Sequence, residues 1–249
     1  MIFRQLFEEL SSTYTYLIGC EETGQAVLVD PVYPSWERDL GEINQLGLKL
    51  VYTVETHIHA DHITSALKLK QESGSKMIFP VMSACECADL RAEENRPVTF
   101  GGISLNPIHT PGHTDDHFCY ILDGKVLTGD TLLIDGCGRT DFQNGNVNDL
   151  YNSVNEKLFV LPDDTLVYPA HDYTQRHVSS IIQEKQRNPR LGGGKTLGAF
   201  TEIMKNLNLP YPTFIDYAVP GNRQGGVCPS HLPEDMERYC DQMTESPQG

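Results

Sequence analysis

The chain has 249 residues, enough for one large domain with a real core. Its 34 acidic and 19 basic residues leave a formal charge of −15, which disfavours nucleic acid or an anionic membrane surface as the main partner and requires a local cation for any anionic ligand. Seven cysteines, at 20, 85, 87, 119, 137, 228 and 240, form an odd set without a CxxC pair, so neither a disulfide framework nor a zinc ribbon is suggested and a reducing cytosol fits. No stretch approaches the roughly 20 apolar residues of a membrane span, and acidic residues interrupt MIFRQLFEELSSTYTYLIG where a signal peptide would stay apolar; a soluble, cytoplasmic protein is expected.

From Ser12 to Val32, TYTYLIG and AVLVDPV flank EETGQ and read as an antiparallel hairpin turning at Gly24. Trp36, Leu40, Ile43 and Leu46 recur at three- and four-residue intervals before Gly47, which predicts a helix. KLVYTVET reads as a buried strand, and THIHADH, from Thr56 to His62, begins at its end, where functional groups often sit. ITSALKLKQESG then reads as a helix, KMIFP as a short strand and Cys85 to Glu94 as helix. VTFGGISLNPIHT and HFCYILDGKVLTGD read as strands, the second with a hairpin turn at Asp123-Gly124. A helix is predicted from Asn148 to Phe159, a strand in TLVYPAHDY, and helices in HVSSIIQEKQ and LGAFTEIMKNL, ahead of a Pro- and Gly-rich tail. Strands followed by helices, twice over, predict an α+β fold of two packed sheets with helices outside.

Residues two apart in an extended segment point the same way, so His57 and His59 face one point while the following turn swings Asp61 and His62 toward a neighbouring one. HTPGHT (His109 to Thr114), GDT with Asp130 and PAHDY with His171 follow other strand-like runs. Together they supply imidazoles and carboxylates for one or two metal ions. The blander reading, a hydrogen-bonded turn with half-buried histidines, does not explain this concentration. Cys137, the CEC of residues 85–87 and GGGK at 192–195 lack partner patterns and read as packing cysteines and a surface turn. His117 and His177 have no spacing partner and read as structural.

These motifs make the sequence resemble the metallo-β-lactamase superfamily. THIHADHIT, HTPGHT, DTLLIDGCGRTDFQNG, PAHDY and the run from RNPRL to AVPGN make it similar to the persulfide (sulfur) dioxygenases within that superfamily, over about residues 50–222. The resemblance implies an αββα sandwich across residues 1–249 as one domain, with a short extension from about residue 178. It implies one non-haem Fe(II) per chain, held by His57, His113 and Asp130, with His59, Asp61, His62 and His171 orienting those ligands through hydrogen bonds. The implied reaction takes glutathione persulfide, dioxygen and water to sulfite and glutathione. Arg139 is the cation expected to meet the persulfide, Asp141 steadies Arg139, Tyr173 hydrogen-bonds a ligand, and Thr128 and Asp172 support neighbouring groups. The outer sulfur supplies the four electrons dioxygen needs, so no flavin or nicotinamide motif is required, and no GxGxxG occurs. A homodimer is implied as well.

The chain departs from its relatives at Ser65-Ala66, where glycine is common, and at Asp135, where a basic residue is frequent; Asp135 is expected to add negative charge near the entrance, leaving another low-molecular-weight persulfide open as substrate. The alternative enzyme is a glyoxalase II-like hydrolase of S-acylglutathione, with a second metal on Asp61, His62 and His171. TDFQNG after Arg139 and the short region after His171 favour the dioxygenase. A non-catalytic metal-binding module is the third reading.

Overall fold

In a computed structural model that describes residues 1–173 and 175–240, the first half of the chain builds one six-stranded sheet and the second half another. β1 (Ile2–Glu8), β2 (Thr13–Cys20) and β3 (Gln25–Val29) form an antiparallel meander. α1 (Trp36–Gln45) returns the chain so that β4 (Lys49–Val54) lies parallel to β3; α2 (Ala66–Ser73) leads to β5 (Lys76–Pro80), and β6 (Leu90–Ala92) completes a parallel run. The second sheet starts with β7 (Val98–Phe100), β8 (Ile103–His109), β9 (Phe118–Leu122) and β10 (Lys125–Gly129), antiparallel in turn. α3 (Val147–Asn152), continued by wider π-type turns over Ser153–Leu158, crosses to β11 (Leu166–Pro169), which lies parallel to β10, and β12 (Ser179–Ser180) ends the sheet. α4 (Ile181–Arg187), α5 (Leu197–Lys205) and α6 (Ile215–Asn222) follow.

Strand alternation decides what each face meets. Along β2, Tyr14, Tyr16 and Ile18 enter the layer between the sheets, where Phe118, Tyr120 and Leu127 of the second sheet join them. Leu17, between them in sequence, packs outward with Trp36 and Ile43 of α1. On the far side, Cys119, Val126 and Val167 are covered by Leu150, Ile181 and Phe200 from α3, α4 and α5. Helices thus cover both outer faces, giving the expected αββα layering.

Four expectations change. The Cys85–Glu94 segment is turns and β6, because its backbone pairs with β5 and Arg91 bonds back to Ser83 and to the Cys85 carbonyl. HVSSIIQEKQ contributes β12 first, and Ser180 then caps α4 by accepting from the Gln183 amide. The Pro- and Gly-rich tail contains α6, with Pro220 inside it. Cys228 and Cys240 are joined in a disulfide, against the expectation of none; the turn at Glu234–Tyr239 brings together two cysteines whose spacing of 12 matches no motif.

Candidate metal centre

β4 ends at Val54, and the next residues turn inward under the edge of the inter-sheet layer, so Thr56, His57, His59 and His62 are all buried. The second half of the chain brings three more groups from loops after β8, β10 and β11: His113, Asp130 and His171. Donor atoms of His57, His113 and Asp130 all lie within 4.8 Å of one another, as do those of His59, Asp61 and His62. His171 joins both groups, its Nε2 standing 3.5 Å from Asp61 Oδ2 and 3.7 Å from Asp130 Oδ2. All seven residues singled out as metal-site candidates therefore converge.

The hydrogen-bond network fixes which ring nitrogen each histidine presents. Asp30, at the end of β3, accepts from the Thr56 amide at 2.7 Å and the Thr56 hydroxyl at 3.0 Å. With its proton given to Asp30, Thr56 Oγ1 accepts from His57 Nδ1 at 2.9 Å, which leaves the His57 Nε2 lone pair for a metal. His113 Nδ1 donates to the Arg139 carbonyl at 2.8 Å, and its Nε2 faces Asp130 Oδ2 at 3.4 Å. His171 Nδ1 donates to the Ser12 carbonyl at 3.0 Å. Burial, followed by the neighbouring imidazoles, pushes the His57 pKa well below its ordinary value, so the ring is neutral as a ligand must be.

These residues fit a cation. Asp130 Oδ1, His59 Nδ1 and His62 Nε2 are buried without a hydrogen-bond partner among the described residues, an arrangement that is costly unless something positive is meant to sit there. Two imidazoles and one carboxylate on one side of the cluster suit a divalent metal ion, and the wider set has donors for a second one. His117 supports this arrangement from beneath: its Nε2 accepts from the Asp130 amide at 3.0 Å, and its ring stacks on His57 with centroids 4.8 Å apart. The backbone approaches that ring so closely at Gly129 (φ +49°) that a Cβ there would lie 2.4 Å from His117 Nε2.

A cavity of about 680 Å³ opens beside the centre, lined by Asp61, His113, Asp130 and His171 together with Arg139 and Tyr211. Asp141 grips Arg139 through both carboxylate oxygens, at 2.7 and 2.8 Å, while Arg139 Nη1 donates to the Pro210 carbonyl at 2.8 Å. Tyr173 also lines the cavity and stacks on His171, rings 5.9 Å apart and nearly parallel, yet is 74% exposed. Thr128 bonds the Leu132 carbonyl at 2.6 Å and Asp172 accepts from the His177 amide at 2.7 Å, so each shapes the loop after a ligand. Asp135 does not add a free negative charge: Arg176 and Arg187 stand 2.8 and 3.5 Å from its carboxylate.

Two groups escaped sequence reasoning. Asp30 was visible only as the polar end of AVLVD, and its role depends on Thr56, 26 residues away. Asn222, at the end of α6, donates to the His59 and His62 carbonyls at 2.9 and 2.8 Å and accepts from the Thr64 amide at 2.9 Å, stitching the whole ligand loop. Its only signal was its place in the late AVPGN run.

The sequence profile described as "Metallo-beta-lactamase superfamily" matches residues 9–76 and 89–171. Human "Persulfide dioxygenase ETHE1, mitochondrial" is 47% identical over 232 residues, which are 91% of this chain and 89% of that protein. The chain belongs to the metallo-β-lactamase superfamily, in its persulfide dioxygenase family. It is therefore an oxidoreductase of the sulfur dioxygenase class. The crystal structure of ETHE1 from Myxococcus xanthus superposes with a TM-score of 0.89 at 50% identity, covering 91% of this chain and all of that one. A cytoplasmic hydroxyacylglutathione hydrolase of Arabidopsis thaliana is more distant, 34% identical over 73% of this chain and 72% of its own length. Among the described residues no helix is long and apolar enough to cross a membrane.

Proposed function

We propose that this member of the family oxidises the outer sulfur of glutathione persulfide, with dioxygen and water, to sulfite and glutathione, using one Fe(II) per chain held by His57, His113 and Asp130. The observation that carries the reading is the 47% identity to a persulfide dioxygenase over 91% of the chain. When bound, a ferrous ion with two imidazoles and one carboxylate supplies neighbouring open positions at which a sulfur anion and dioxygen can meet.

The chain's own groups do the rest. The cavity of about 680 Å³ falls within the range of small-molecule sites, about 300–1,000 Å³. A persulfide arrives as an anion on a tripeptide that carries carboxylates, and Arg139, held rigid by Asp141, is the charge that orients it. Tyr173, at the rim against His171, offers its hydroxyl to a ligand. His59, Asp61, His62 and His171 keep the ligand loops in register by hydrogen bonds, His171 through the Ser12 carbonyl. The segment beyond residue 178 is part of the same unit in this reading, since Asn222 and the cavity-lining Tyr211 and Tyr239 come from it.

The buried, unpartnered His59 Nδ1 and His62 Nε2 favour one second reading, a dinuclear hydrolase of S-acylglutathione. Oxygen uptake and sulfite release, measured on metal-quantified protein given glutathione persulfide, decide between them. About one iron per chain, with oxygen consumed in step with sulfite, is expected; two metals, no uptake and thioester hydrolysis would replace the dioxygenase with the hydrolase. We read the protein as a homodimer in the cytosol; light scattering tests the first, and fractionation tests the second against the "mitochondrial" in the mammalian relatives' names.

A further inference from the structure

Away from the centre, the chain brings a second pair of reactive side chains together. Cys85 and Cys87 lie in the turns between β5 and β6 with their sulfurs 3.3 Å apart; Cys85 is buried and Cys87 exposed. Arg91 of β6 braces this turn, donating to Ser83 Oγ at 3.2 Å and to the Cys85 carbonyl. Moving the sulfurs from 3.3 Å to a bonded separation of about 2.05 Å takes little more than an ångström, in a stretch outside strand and helix. Cys87 opens onto a groove of about 640 Å³ lined also by Glu86, Pro220, Arg223, Gln224 and Val227, so a small thiol finds one cation, one amide and one carboxylate there. Burial, followed by the Cys87 neighbour, pushes the Cys85 thiol up to about 12. The exposed Cys87 is therefore the sulfur an incoming molecule can reach, and the buried Cys85 is the one placed to resolve it.

We propose that Cys85 and Cys87 form a dithiol site that accepts sulfane sulfur from a low-molecular-weight persulfide and closes to an intramolecular disulfide. The identity of the oxidant rests on the function proposed above. Cys87 thiolate attacks the outer sulfur of the persulfide; the persulfide S–S bond breaks, the parent thiol leaves, and Cys87 carries the extra sulfur. Cys85 then attacks the Cys87 sulfur; the bond to the extra sulfur breaks, sulfide departs with the Cys85 proton, and the Cys85–Cys87 bond forms. The two cysteines give up two electrons and the sulfane sulfur takes them, so one persulfide and two thiols become one disulfide, one thiol and one hydrogen sulfide. The pair also reaches inward: Cys85 shares a buried cluster with Ile58, which lies between His57 and His59, and with Ile215 and Val219 of α6.

The test holds the full-length, iron-quantified protein under argon with glutathione persulfide, so that oxygen-dependent turnover is absent, against a protein-free blank. The protein is then alkylated and digested with trypsin without reduction; the fragment spanning residues 77–91 carries both cysteines and no other. That fragment is expected to lose two hydrogens and resist alkylation, with about one sulfide released per chain above the blank. Cys87→Ser should leave Cys85 open to alkylation and release no sulfide, whereas Cys85→Ser should stop with one sulfur added to Cys87. A parent fragment that keeps two alkylatable thiols, or gains sulfur without losing hydrogens, overturns the proposal. Oxygen uptake by the same batch in air is read separately: a disulfide without uptake upholds the dithiol site and sinks the dioxygenase, and uptake without a disulfide does the reverse.

Discussion

Asp30 is the group whose replacement separates positioning of the metal ligands from the ligands themselves. Its carboxylate is 1% exposed and accepts three bonds: from the Thr56 amide at 2.7 Å, the Thr56 hydroxyl at 3.0 Å and His59 Nε2 at 3.1 Å. Truncation to alanine would strand three buried donors at about 1–3 kcal/mol each, roughly 3–9 kcal/mol in all and comparable to a whole domain's stability. Asp30→Asn is the cleaner change, because it keeps size and tolerates the positive φ of 50° at this position. The amide nitrogen can only donate, so Thr56 Oγ1 loses the acceptor that fixes its proton and can turn it toward His57 Nδ1; in that arrangement the ring proton sits on Nε2 and the lone pair facing the metal is lost. Loss of such a partner typically weakens metal binding about 10–100-fold, or roughly 1.4–2.7 kcal/mol. Iron affinity by competition with a chelator, alongside circular dichroism of the metal-free protein, is the assay. Iron affinity within about twofold of the parent, in a folded Asp30→Asn protein, would refute the relay from Asp30 through Thr56 to His57.

Gly138→Ala would place a Cβ 2.7 Å from His113 Nδ1 and 2.5 Å from the Asp130 carbonyl oxygen. An overpacking cost of about 1–3 kcal/mol should appear in thermal unfolding together with reduced metal content, and full metal loading would refute the close approach. Burial raises the Asp39 carboxyl from 3.8 to about 6 despite Arg38 beside it. The folded chain therefore holds this proton more tightly than the unfolded one, so the group's contribution is full below pH 3.8 and lost as pH rises through 6, about 3 kcal/mol over the window. Asp39→Asn should gain about that much on the parent between pH 4 and pH 7 in urea titrations; a constant difference would refute it. Arg139→Lys gives up the two-pronged grip on Asp141 and should raise KM for the persulfide about tenfold. Iron content should hold, because His113 is fixed by the Arg139 main chain.

Much of this architecture could be read from local signals. The Gly24 turn, α1, the Asp123-Gly124 hairpin and α5 follow from turn chemistry and helical spacing, and each appears where that chemistry puts it. The convergence of His57, His113 and Asp130 was legible because candidate ligands cluster at strand ends in short, dense motifs. Pairing information was not legible. β6 is three residues long and exists only because β5 offers an edge, so its sequence alone resembled a helix. Asp30 and Asn222 act through partners 26 and 158 to 163 residues away, and no window along the chain contains both ends of those bonds.

The division of ligands between the sheets reaches beyond the centre itself. His57 follows a strand of the first sheet, while His113 and Asp130 follow strands of the second, so neither half of the chain carries all three of the ligands proposed for the iron. A bound ion would thus rivet two halves that also meet through the apolar layer and through bonds such as those from the Phe118 amide to the Thr56 carbonyl and from the Tyr120 hydroxyl to the Glu55 carbonyl, and its binding energy would add to their cohesion. Two fragments cut in the exposed turn at Glu94–Asn95 would each carry only part of that proposed set, and the ion would favour their reassembly.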